Sequence, residues 1–250
     1  MPVKTALVTG ASSGIGRALA IELATRGAHV ALCARREDEL RDVARAIEDR
    51  GGRALVLPLD VTDPDAVREA LQKADRDLGA LEMVVANAGA GYHGHAGTLQ
   101  WSEVARVLDV NVRGAMATLT AAIPIFLAHQ RGHLVAVTSL AGRRGLPGSG
   151  PYSASKAAVS IFLETLRVDL RDAGIAVTDV QPGFVATEMT KNATHPQPFK
   201  WPADKAARVI ANRLESAPAV IAFPWPLAML TGLSRFLPPW IFDRLARAVG

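Results

Sequence analysis

The stretch VKTALVTGASSGIGRALAIELATR, residues 3–26, decides the fold. Residues 3–8 form a short apolar run of the kind that a buried strand needs, and an apolar helical pattern follows the glycines and continues to Arg26. Glycines in such a turn let the backbone pass close to a pyrophosphate, and a helix N-terminus offers free N–H groups. The turn Thr9-Gly10-Ala11-Ser12-Ser13-Gly14-Ile15-Gly16 therefore predicts a phosphate site, although a tight turn that binds nothing has the same pattern.

The rest of the chain repeats this alternation. Further strands are predicted at residues 29–34, 53–59, 81–86, 133–138, 175–181 and 219–223. Helical patterns end near residue 50, cover residues 101–129, begin near Tyr152 and cover residues 203–214. Alternating strands and helices of this length predict an α/β fold, in which a parallel sheet is connected by right-handed crossovers.

The composition fits one globular domain over residues 1–250, since 49% of the residues are hydrophobic and 21% are charged. The single cysteine, Cys33, cannot form an internal disulfide, and no His/Cys spacing of the metal-site type occurs. We therefore expect no metal and a reducing, cytoplasmic setting. The net charge of +4 is spread among acidic residues, which favours solvated helix faces over a nucleic-acid surface. The apolar run at residues 3–8 is too short for a signal peptide.

Two arginines follow the second strand, at the position where an NAD-binding unit usually offers a carboxylate to the ribose. Arg35 and Arg36 can instead pair with a 2′-phosphate, so we expect NADP(H) to be preferred over NAD(H). The alternative is that both are ordinary first-turn residues of the next helix, which is more plausible for Arg36 than for Arg35.

Three further sites lie where ligands bind in open α/β sheets or where a polar group needs a partner. Asp60, followed by Val61, could bond an adenine amino group or belong to turn and capping chemistry. Asn87, Ala88 and Gly89 close the fourth strand with small residues that allow close backbone approach. Asn111 lies in an apolar helix, where its amide costs free energy unless it is bonded, in a structural or a functional role.

One helical turn, YSASK at residues 152–156, carries the candidate chemistry. Residues four apart lie above one another on a helix, so Lys156 is expected beside the Tyr152 hydroxyl. A neighbouring cation favours phenolate, so we predict a lowered tyrosine pKa and a general acid/base. The loop after Ser139, at the end of the fifth strand, can bring that serine over the same helix. We give Arg143 and Arg144, in this loop, no role, because lone surface arginines are usually solvated.

These elements together resemble the short-chain dehydrogenase/reductase family over residues 3 to about 190. The matching motifs are Thr9-Gly10-x-x-x-Gly14-x-Gly16, Asp60, Asn87-Ala88-Gly89, Asn111, Ser139, Tyr152-x-x-x-Lys156 and Pro182-Gly183-x-x-x-Thr187. The resemblance implies a Rossmann-type doubly wound sheet of seven parallel strands in the order 3-2-1-4-5-6-7. It also implies a nicotinamide cofactor across the carboxyl edge of that sheet.

The family further implies a catalytic set of Asn111, Ser139, Tyr152 and Lys156. In the family the serine bonds the substrate oxygen, the tyrosine transfers the proton, the lysine bonds the nicotinamide ribose and lowers the tyrosine pKa, and the asparagine holds a water through a backbone contact. Ser13 departs from members that carry a second basic residue in the glycine motif. The expected cofactor contacts are Gly10, Ser12, Ser13, Gly14, Ile15, Gly16, Arg35, Arg36, Asp60, Val61, Asn87, Ala88, Gly89, Tyr152, Lys156, Pro182, Gly183, Val185 and Thr187.

The last third of the chain supports several interpretations. Residues 188–201 are polar and predict a flexible substrate flap, and residues 224–250 form an apolar helical extension. Residues 217–233 are long enough to span a membrane, but Pro218, Pro224 and Pro226 argue against a continuous helix. The extension could instead contact a second subunit of a homodimer or homotetramer, cover a pocket for a bulky apolar substrate, or rest on lipid as a peripheral membrane contact.

We thus expect an NADP(H)-dependent oxidoreductase that interconverts a carbonyl and a secondary alcohol, with Tyr152 as the acid/base. The alternative is a non-catalytic dinucleotide-binding regulatory or scaffold protein of the same fold. Drift in such a protein would be expected to spoil at least one of the four catalytic residues. A nucleotide-sugar epimerase or dehydratase shares Tyr-x-x-x-Lys but generally needs a longer C-terminal substrate domain.

Overall fold

The computed structural model describes residues 3–191 and 196–249, without the side chains of residues 247–249. The strands are β1 (Thr5–Thr9), β2 (His29–Ala34), β3 (Arg53–Pro58), β4 (Met83–Ala86), β5 (Gly132–Val137), β6 (Ile175–Pro182), β7 (Val185–Ala186), β8 (Trp201–Pro202) and β9 (Val220–Phe223). The helices are α1 (Gly14–Thr25), α2 (Glu37–Glu48), α3 (Pro64–Leu78), α4 (Trp101–Leu108), α5 (Ala115–His129), α6 (Gly150–Asp169), α7 (Glu188–Lys191), α8 (Ala203–Leu214), α9 (Trp225–Ser234) and α10 (Pro239–Val249).

Seven strands form one parallel sheet in the order β3-β2-β1-β4-β5-β6-β9. This confirms the predicted doubly wound order, with β9 as the seventh strand of the sheet. The predicted strand ends agree with the observed ones to within two residues. All the carboxyl ends of these strands therefore meet at one edge, where the order reverses between β1 and β4 and a crevice opens.

The two faces of the sheet carry separate hydrophobic cores, as alternating side chains require. On one face the strands pack against α1, α2 and α8, with Leu19, Leu40 and Ile210 fully buried. On the other they pack against α3, α5 and α6, with Leu71 and Phe126 fully buried. The two helix layers hold the sheet from both faces, and so they hold the carboxyl ends of the strands and the loops that follow them in place.

Cys33 lies in β2, between β1 and β3, and is fully buried. Burial raises the pKa of its thiol to about 12 because the apolar core disfavours a thiolate. Its backbone carbonyl accepts a hydrogen bond from Ala11 N at 3.1 Å and so connects the sheet to the glycine turn.

The predicted helix at residues 101–129 contains a wider, π-helical turn at Asp109–Gly114, between α4 and α5. Such turns inside a helix are frequent at functional sites. By length and composition alone, the stretch Trp101–His129 is the one helix among the described residues that could cross a membrane. That is weak support for a span, since core helices pass the same test and α5 packs on the sheet.

The predicted flexible flap at residues 188–201 is structured at both ends. Its first residues form α7, where Thr190 Oγ1 donates to Val185 O at 2.7 Å. At its other end, Trp201 pairs β8 with β7 and stacks on Phe223, with 5.1 Å between ring centroids. Side-chain hydrogen bonding and ring stacking, which polar composition does not reveal, fix these ends. Residues 192–195 lie outside the described residues.

The C-terminal extension consists of α9 and α10, which the prolines separate from β9 and from each other. Several of its large apolar side chains point to solvent, among them Trp225, Leu233, Phe236 and Trp240. Phe236 is the extreme case, with 86% of its surface exposed. Its underside contacts the loop after β5, where Arg143 and Arg144 bond its backbone.

Candidate active site

A cleft of about 550 Å³ opens at the carboxyl edge of the sheet. All of the predicted cofactor contacts line it except Gly16, and so do Ser139, Tyr152 and Lys156. Gly16 lies just behind the cleft wall, where an added Cβ would overlap Asn87 Nδ2 and Gly10 O. Its role in the structure is to let α1 pack closely against the glycine turn.

The glycine turn is connected firmly to the end of β4. Thr9 Oγ1 accepts hydrogen bonds from Asn87 N at 3.0 Å and Ala88 N at 3.1 Å, and Asn87 Nδ2 donates to Thr9 O at 2.9 Å. Gly10 has a φ of +66°, which L side chains rarely adopt, and an added Cβ would lie 2.8 Å from Ala88 Cα. The first N–H groups of α1, beginning at Gly14, have no partner within that helix. These features fit the phosphates of a dinucleotide.

Two arginines stand at the outer end of the cleft, after β2. The Arg35 side chain is 75% exposed, and its Nη1 lies 4.0 Å from Asp60 Oδ2. Arg36 Nη2 donates to Ser12 Oγ in the glycine turn at 3.1 Å and lies 3.3 Å from Glu188 Oε2 of α7. Arg36 is also the residue that precedes α2, which agrees with the alternative that it belongs to the start of the next helix. Both guanidinium groups border the same end of the cleft.

Asp60 belongs to a turn and also faces the cleft. Its Oδ1 accepts from Thr62 N at 3.0 Å and from Thr62 Oγ1 at 2.8 Å. The Thr62 backbone bond lowers the pKa of Asp60 against the opposing effect of burial, and the Thr62 hydroxyl and Arg35 lower it further. The next residue, Val61, is buried against Gly114 at the wider helical turn. The turn role of Asp60 is thus present in the structure, with Oδ2 still directed towards Arg35.

Ser139 and Tyr152 meet at the inner end of the cleft. The 3-10 turn at Leu140–Gly142 brings the end of β5 against α6, which begins with Pro151 in its first turn. Ser139 Oγ accepts from Ala141 N at 3.1 Å, and its side chain is hydrogen-bonded to the Tyr152 hydroxyl. Two hydroxyl groups therefore stand side by side where a substrate oxygen could be bonded by both.

Lys156 lies one turn further along α6 and is almost fully buried, with 6% of its surface exposed. Its Nζ donates to Val137 O at 2.8 Å and lies 5.7 Å from the centre of the Tyr152 ring. Burial lowers the pKa of Lys156 to about 8, and the Asp179 carboxylate opposes that effect. Lys156 therefore loses its proton more easily than an exposed lysine does.

The predicted lowering of the Tyr152 pKa is wrong for this structure. Burial raises the pKa of the phenol above its ordinary value, and the Ser139 hydrogen bond only partly opposes this. The reason is geometric, since Lys156 Nζ bonds a backbone carbonyl and approaches the ring face, so it does little to offset the desolvation of the hydroxyl. The spacing of four on a helix brings Tyr152 and Lys156 together. It does not determine whether desolvation of the phenol or the charge of the lysine dominates the pKa.

Asn111 does not line the cleft but lies directly behind it, in the wider helical turn. Its Oδ1 accepts from Ala90 N at 2.6 Å, and its Nδ2 donates to Ala90 O and to Ser155 Oγ, both at 3.0 Å. The amide is thus fully bonded, as its 1% exposure requires. It fastens the segment after β4 to α6, next to Lys156.

Sequence reasoning missed several groups around this centre. Thr138, Asp179 and Gln181 form a buried polar cluster at the ends of β5 and β6, and Arg143 joins it from the following loop. Polar residues at alternate positions of the otherwise apolar β6 were the available signal. Arg106, which donates to Gly91 O at 3.0 Å, and Met189 also line the cleft. No metal-binding cluster occurs among residues 3–191 and 196–249.

Comparison with known proteins connects this site to a family. The model of the family described as short chain dehydrogenase matches residues 4–198. An uncharacterized oxidoreductase of Myxococcus xanthus is 44% identical over 247 residues, which cover 99% of this chain and 98% of that protein.

Solved structures agree. A short chain dehydrogenase/reductase from Burkholderia phymatum in complex with NAD superposes with a TM-score of 0.86 at 26% identity, covering 93% of this chain and 92% of that one. An alcohol dehydrogenase from Thermococcus sibiricus complexed with 5-hydroxy-NADP superposes with a TM-score of 0.80 at 28% identity, covering 88% and 95%. The two structures hold dinucleotides of both kinds.

Proposed function

We propose a reaction for this chain from one premise: it belongs to the short-chain dehydrogenase family and is an oxidoreductase. The reaction is the interconversion of a carbonyl and a secondary alcohol with NADP(H). The observation that carries it is the Ser139–Tyr152 hydroxyl pair beside the buried Lys156 amine, at the inner end of a cleft whose other end is the glycine turn.

The glycine turn and the ends of β2, β3 and β4 would hold the dinucleotide, and Lys156 would bond its nicotinamide ribose. When bound, the cofactor supplies or accepts the hydride. The side chains of the protein would bond and protonate the carbonyl oxygen of the substrate. Ser139 and Tyr152 donate hydrogen bonds to the carbonyl oxygen, whose negative charge grows in the transition state, so they stabilise that state more than the ground state. Tyr152 then transfers its proton to this oxygen, while Asn111 holds the backbone behind Lys156.

The raised pKa of Tyr152 keeps the phenol protonated at neutral pH, which is the state it needs to act as the acid in carbonyl reduction. The same group would act as phenolate in the reverse reaction, oxidation of the alcohol. Lys156 would bond the ribose of a bound cofactor, and a cation beside the phenol favours the phenolate that proton transfer leaves behind.

Substitution of Tyr152 tests the assignment. We expect Tyr152→Phe to lower kcat for NADPH-dependent carbonyl reduction by about 10³-fold, the usual contribution of a general acid. Binding of NADPH, measured by fluorescence, is expected to persist. Tyr92→Phe removes the other tyrosine hydroxyl of the chain and should retain turnover, which makes it the matched control. Full activity of Tyr152→Phe would refute Tyr152 as the acid/base, whereas a parent that binds NADPH but reduces no carbonyl would point to the regulatory or scaffold alternative.

The preference for NADP(H) rests on Arg35. It follows β2 where a carboxylate would favour NAD, and its exposed guanidinium borders the cleft within 4.0 Å of Asp60. Because an arginine bonds a phosphate with two parallel N–H groups, it favours a 2′-phosphate over a ribose hydroxyl.

We expect the parent to bind NADPH more tightly than NADH, and Arg35→Ala to weaken NADPH binding by about tenfold while NADH binding is unchanged. Arg41→Ala, on α2 but paired with Glu37, is the control. A parent that prefers NADH would refute the 2′-phosphate argument.

A bulky apolar carbonyl compound or alcohol is the proposed substrate. Val110, Pro182 and Met189 line the cleft, and Leu227 of α9 lies over Gly183 beside it. A screen of carbonyls of increasing apolar size, followed by NADPH absorbance, tests this. Better turnover of small polar substrates would contradict it.

We propose a homodimer or homotetramer acting in the cytoplasm. The support is the set of large apolar side chains exposed on outer helix faces, including Leu127 on α5, Ile161 and Val168 on α6, and the exposed face of α9 and α10. The last of these would contact either a partner subunit or, with Arg235 and Arg244 beside it, an anionic membrane surface. Sedimentation velocity with and without anionic vesicles separates these two cases, and a monomer that ignores vesicles would refute both.

A further inference from the structure

A buried carboxylate lies below the catalytic groups. Asp179, in β6, has only 4% of its surface exposed, which is costly for a charged group unless it is bonded and compensated. It accepts hydrogen bonds from Thr138 Oγ1 on the adjacent strand and from Gln181 Nε2, the latter at 2.6 Å. Thr138 is the residue before Ser139, so the carboxylate bonds the strand end that presents the catalytic serine.

The direction of the hydrogen bonds requires an acceptor at this position. Arg143 Nε donates to Gln181 Oε1 at 2.7 Å, and a guanidinium can only donate. The carbonyl end of the Gln181 amide is therefore turned to Arg143, and its nitrogen end is turned to Asp179. An amide at position 179 accepts only through its oxygen, so its N–H group would face either Gln181 Nε2, a donor, or Thr138 Oγ1, whose proton would then have to turn to Val180 O, whereas a carboxylate accepts from both.

The same chain of bonds reaches the C-terminal extension. Arg143 Nη1 donates to Ala228 O of α9 at 2.5 Å and lies 3.4 Å from Thr231 Oγ1. The network thus runs from the end of β5, through Asp179, Gln181 and Arg143, to α9. It joins the catalytic loop to the helix that borders the substrate side of the cleft.

Charge connects the network to Lys156 as well. Tyr152 faces Lys156 from the same helix, and Asp179 acts on it from β6. Asp179 also acts on Arg143, which in turn faces Arg235 of the extension. The carboxylate is therefore the negative charge shared by two buried or half-buried cations.

We propose that Asp179 is a positioning residue of the catalytic set: through Thr138 it holds the strand end that presents Ser139 and, one residue earlier, the Val137 carbonyl that bonds Lys156 Nζ. The inference rests on the proposed function, because it assigns a role within that reaction. It predicts that Asp179 acts on kcat far more than on KM, since it touches neither substrate nor cofactor.

Three variants separate the hydrogen bonds of Asp179 from its charge. Asp179→Asn removes the charge and leaves either Gln181 or Thr138 without its carboxylate acceptor, and we expect kcat to fall about tenfold, as for loss of a charged hydrogen bond, with KM unchanged. Thr138→Val removes one bond but keeps the charge, so kcat falls without a change in the titration of Lys156. The double variant Asp179→Asn with Gln181→Glu restores complementarity, because the new carboxylate at position 181 accepts from Arg143 and from the new amide at position 179, and kcat should recover most of the loss.

Lysine NMR provides a readout that does not depend on turnover. The chain contains few lysines, and the 13Cε resonance of Lys156 can be assigned with Lys156→Met. We expect Asp179→Asn to lower the titration midpoint of Lys156 by about one pH unit, as expected for loss of a nearby opposite charge. Arg144→Ala is the matched control, since Arg144 bonds the same extension but not Gln181; its midpoint and kcat should equal the parent's.

The outcomes distinguish this proposal from the proposed function. If the parent reduces no carbonyl but the Lys156 midpoint still shifts in Asp179→Asn, the reaction is wrong and the charge coupling stands. If the parent is active and Asp179→Asn changes neither kcat nor the midpoint, the positioning role is refuted. Should Asp179→Asn alone not fold, failure of the Gln181→Glu partner to restore folding and kcat would refute it equally.

Discussion

Two helices of similar apolar composition, α5 and α9, differ in how far their side chains are buried. In α5, AMATLTAAIPIFLAH, the side chains of Leu119, Ala122 and Phe126 are fully buried. In α9, WPLAMLTGLS, none of the ten residues, all of them described, is buried. A helix that is apolar on all sides normally lies within a core.

The difference shows that apolar composition predicts burial only where a partner surface exists within the chain. α5 packs on the sheet and contacts its neighbouring helices α3 and α6 in the same layer. α9 follows the last strand of the sheet and is held from one side, by backbone bonds to Arg143 and by Leu227 over Gly183. Its outer face is left exposed, which is the basis for proposing a subunit or membrane contact.

The comparison is sharpest in the response to truncation of a core side chain. Phe126→Ala is expected to lower the free energy of unfolding by about 3–5 kcal/mol, as for other buried phenylalanines. Phe126 is fully buried and packs so closely against Gly132 that an added Cβ there would overlap its ring. Urea unfolding followed by circular dichroism measures the change. A loss as small as that of the α9 control Leu230→Ala would remove the contrast.

The dependence of unfolding free energy on pH tests the buried region of this comparison and does not involve α9. His133, in β5, is 7% exposed, and its Nε2 lies 2.8 Å from Thr178 Oγ1. Burial lowers the pKa of His133 from 6.5 to about 4, so the unfolded chain binds the proton first as pH falls. Its contribution to stability is complete above pH 6.5 and is lost towards pH 4, by about 3 kcal/mol.

Unfolding free energies of the parent and His133→Gln, measured between about pH 7 and pH 4, provide the test. The difference between them should change over that range in the direction stated, with the parent losing more stability than the variant. Parallel curves would show that His133 is not buried as a neutral ring.

Arg144 tests how the extension is held. Its Nη1 donates to the carbonyls of Ser234, Arg235 and Leu237, and its guanidinium lies 4.2 Å from the Phe242 ring centre. Arg144→Ala should cost about 1–2 kcal/mol locally and speed amide exchange in α10 by about tenfold. Exchange in β5 and β6 is the internal control and should be unchanged. Equal acceleration in both regions would mean that the extension and the sheet open as one unit.

The smallest effect on stability is expected on the outer face of the extension. Phe236→Ser and Trp225→Ser replace side chains that are 86% and 73% exposed, so the free energy of unfolding should change by less than about 0.5 kcal/mol. Self-association or vesicle binding should nevertheless fall, as measured by sedimentation. A clear loss of stability in the monomer would place these rings in a core contact and end the comparison.

The sequence predicted the site well where strand ends and motif spacing determine position. Ser139 and the glycine turn line one cleft because parallel strands end at one edge, and that rule needs no side-chain detail. The acidity of Tyr152 was predicted with the wrong sign, because it depends on whether desolvation or a charge dominates, and Lys156 Nζ bonds Val137 O instead.

The polar network was missed for a different reason. Arg143 bonds Ala228 O, which lies 85 residues away along the chain and belongs to the backbone, so no side-chain pattern marks it. Asp179 lies in a strand whose alternating polar residues, Asp179 and Gln181, were the available signal, but their partners on β5 and in the following loop are brought together only by the tertiary structure. Likewise, the flap ends depend on a ring stack between Trp201 and Phe223 that only tertiary structure brings together.

The fully buried thiol of Cys33 can report how often the core around it opens. Because burial raises the pKa of the thiol to about 12, almost none of it is the reactive thiolate at pH 7, and the core between the sheet and the layer of α3, α5 and α6 shields the sulfur from reagents. Alkylation in native buffer must then wait for that core to open. The labelling rate of this one atom would measure how often the helix layer and the sheet come apart.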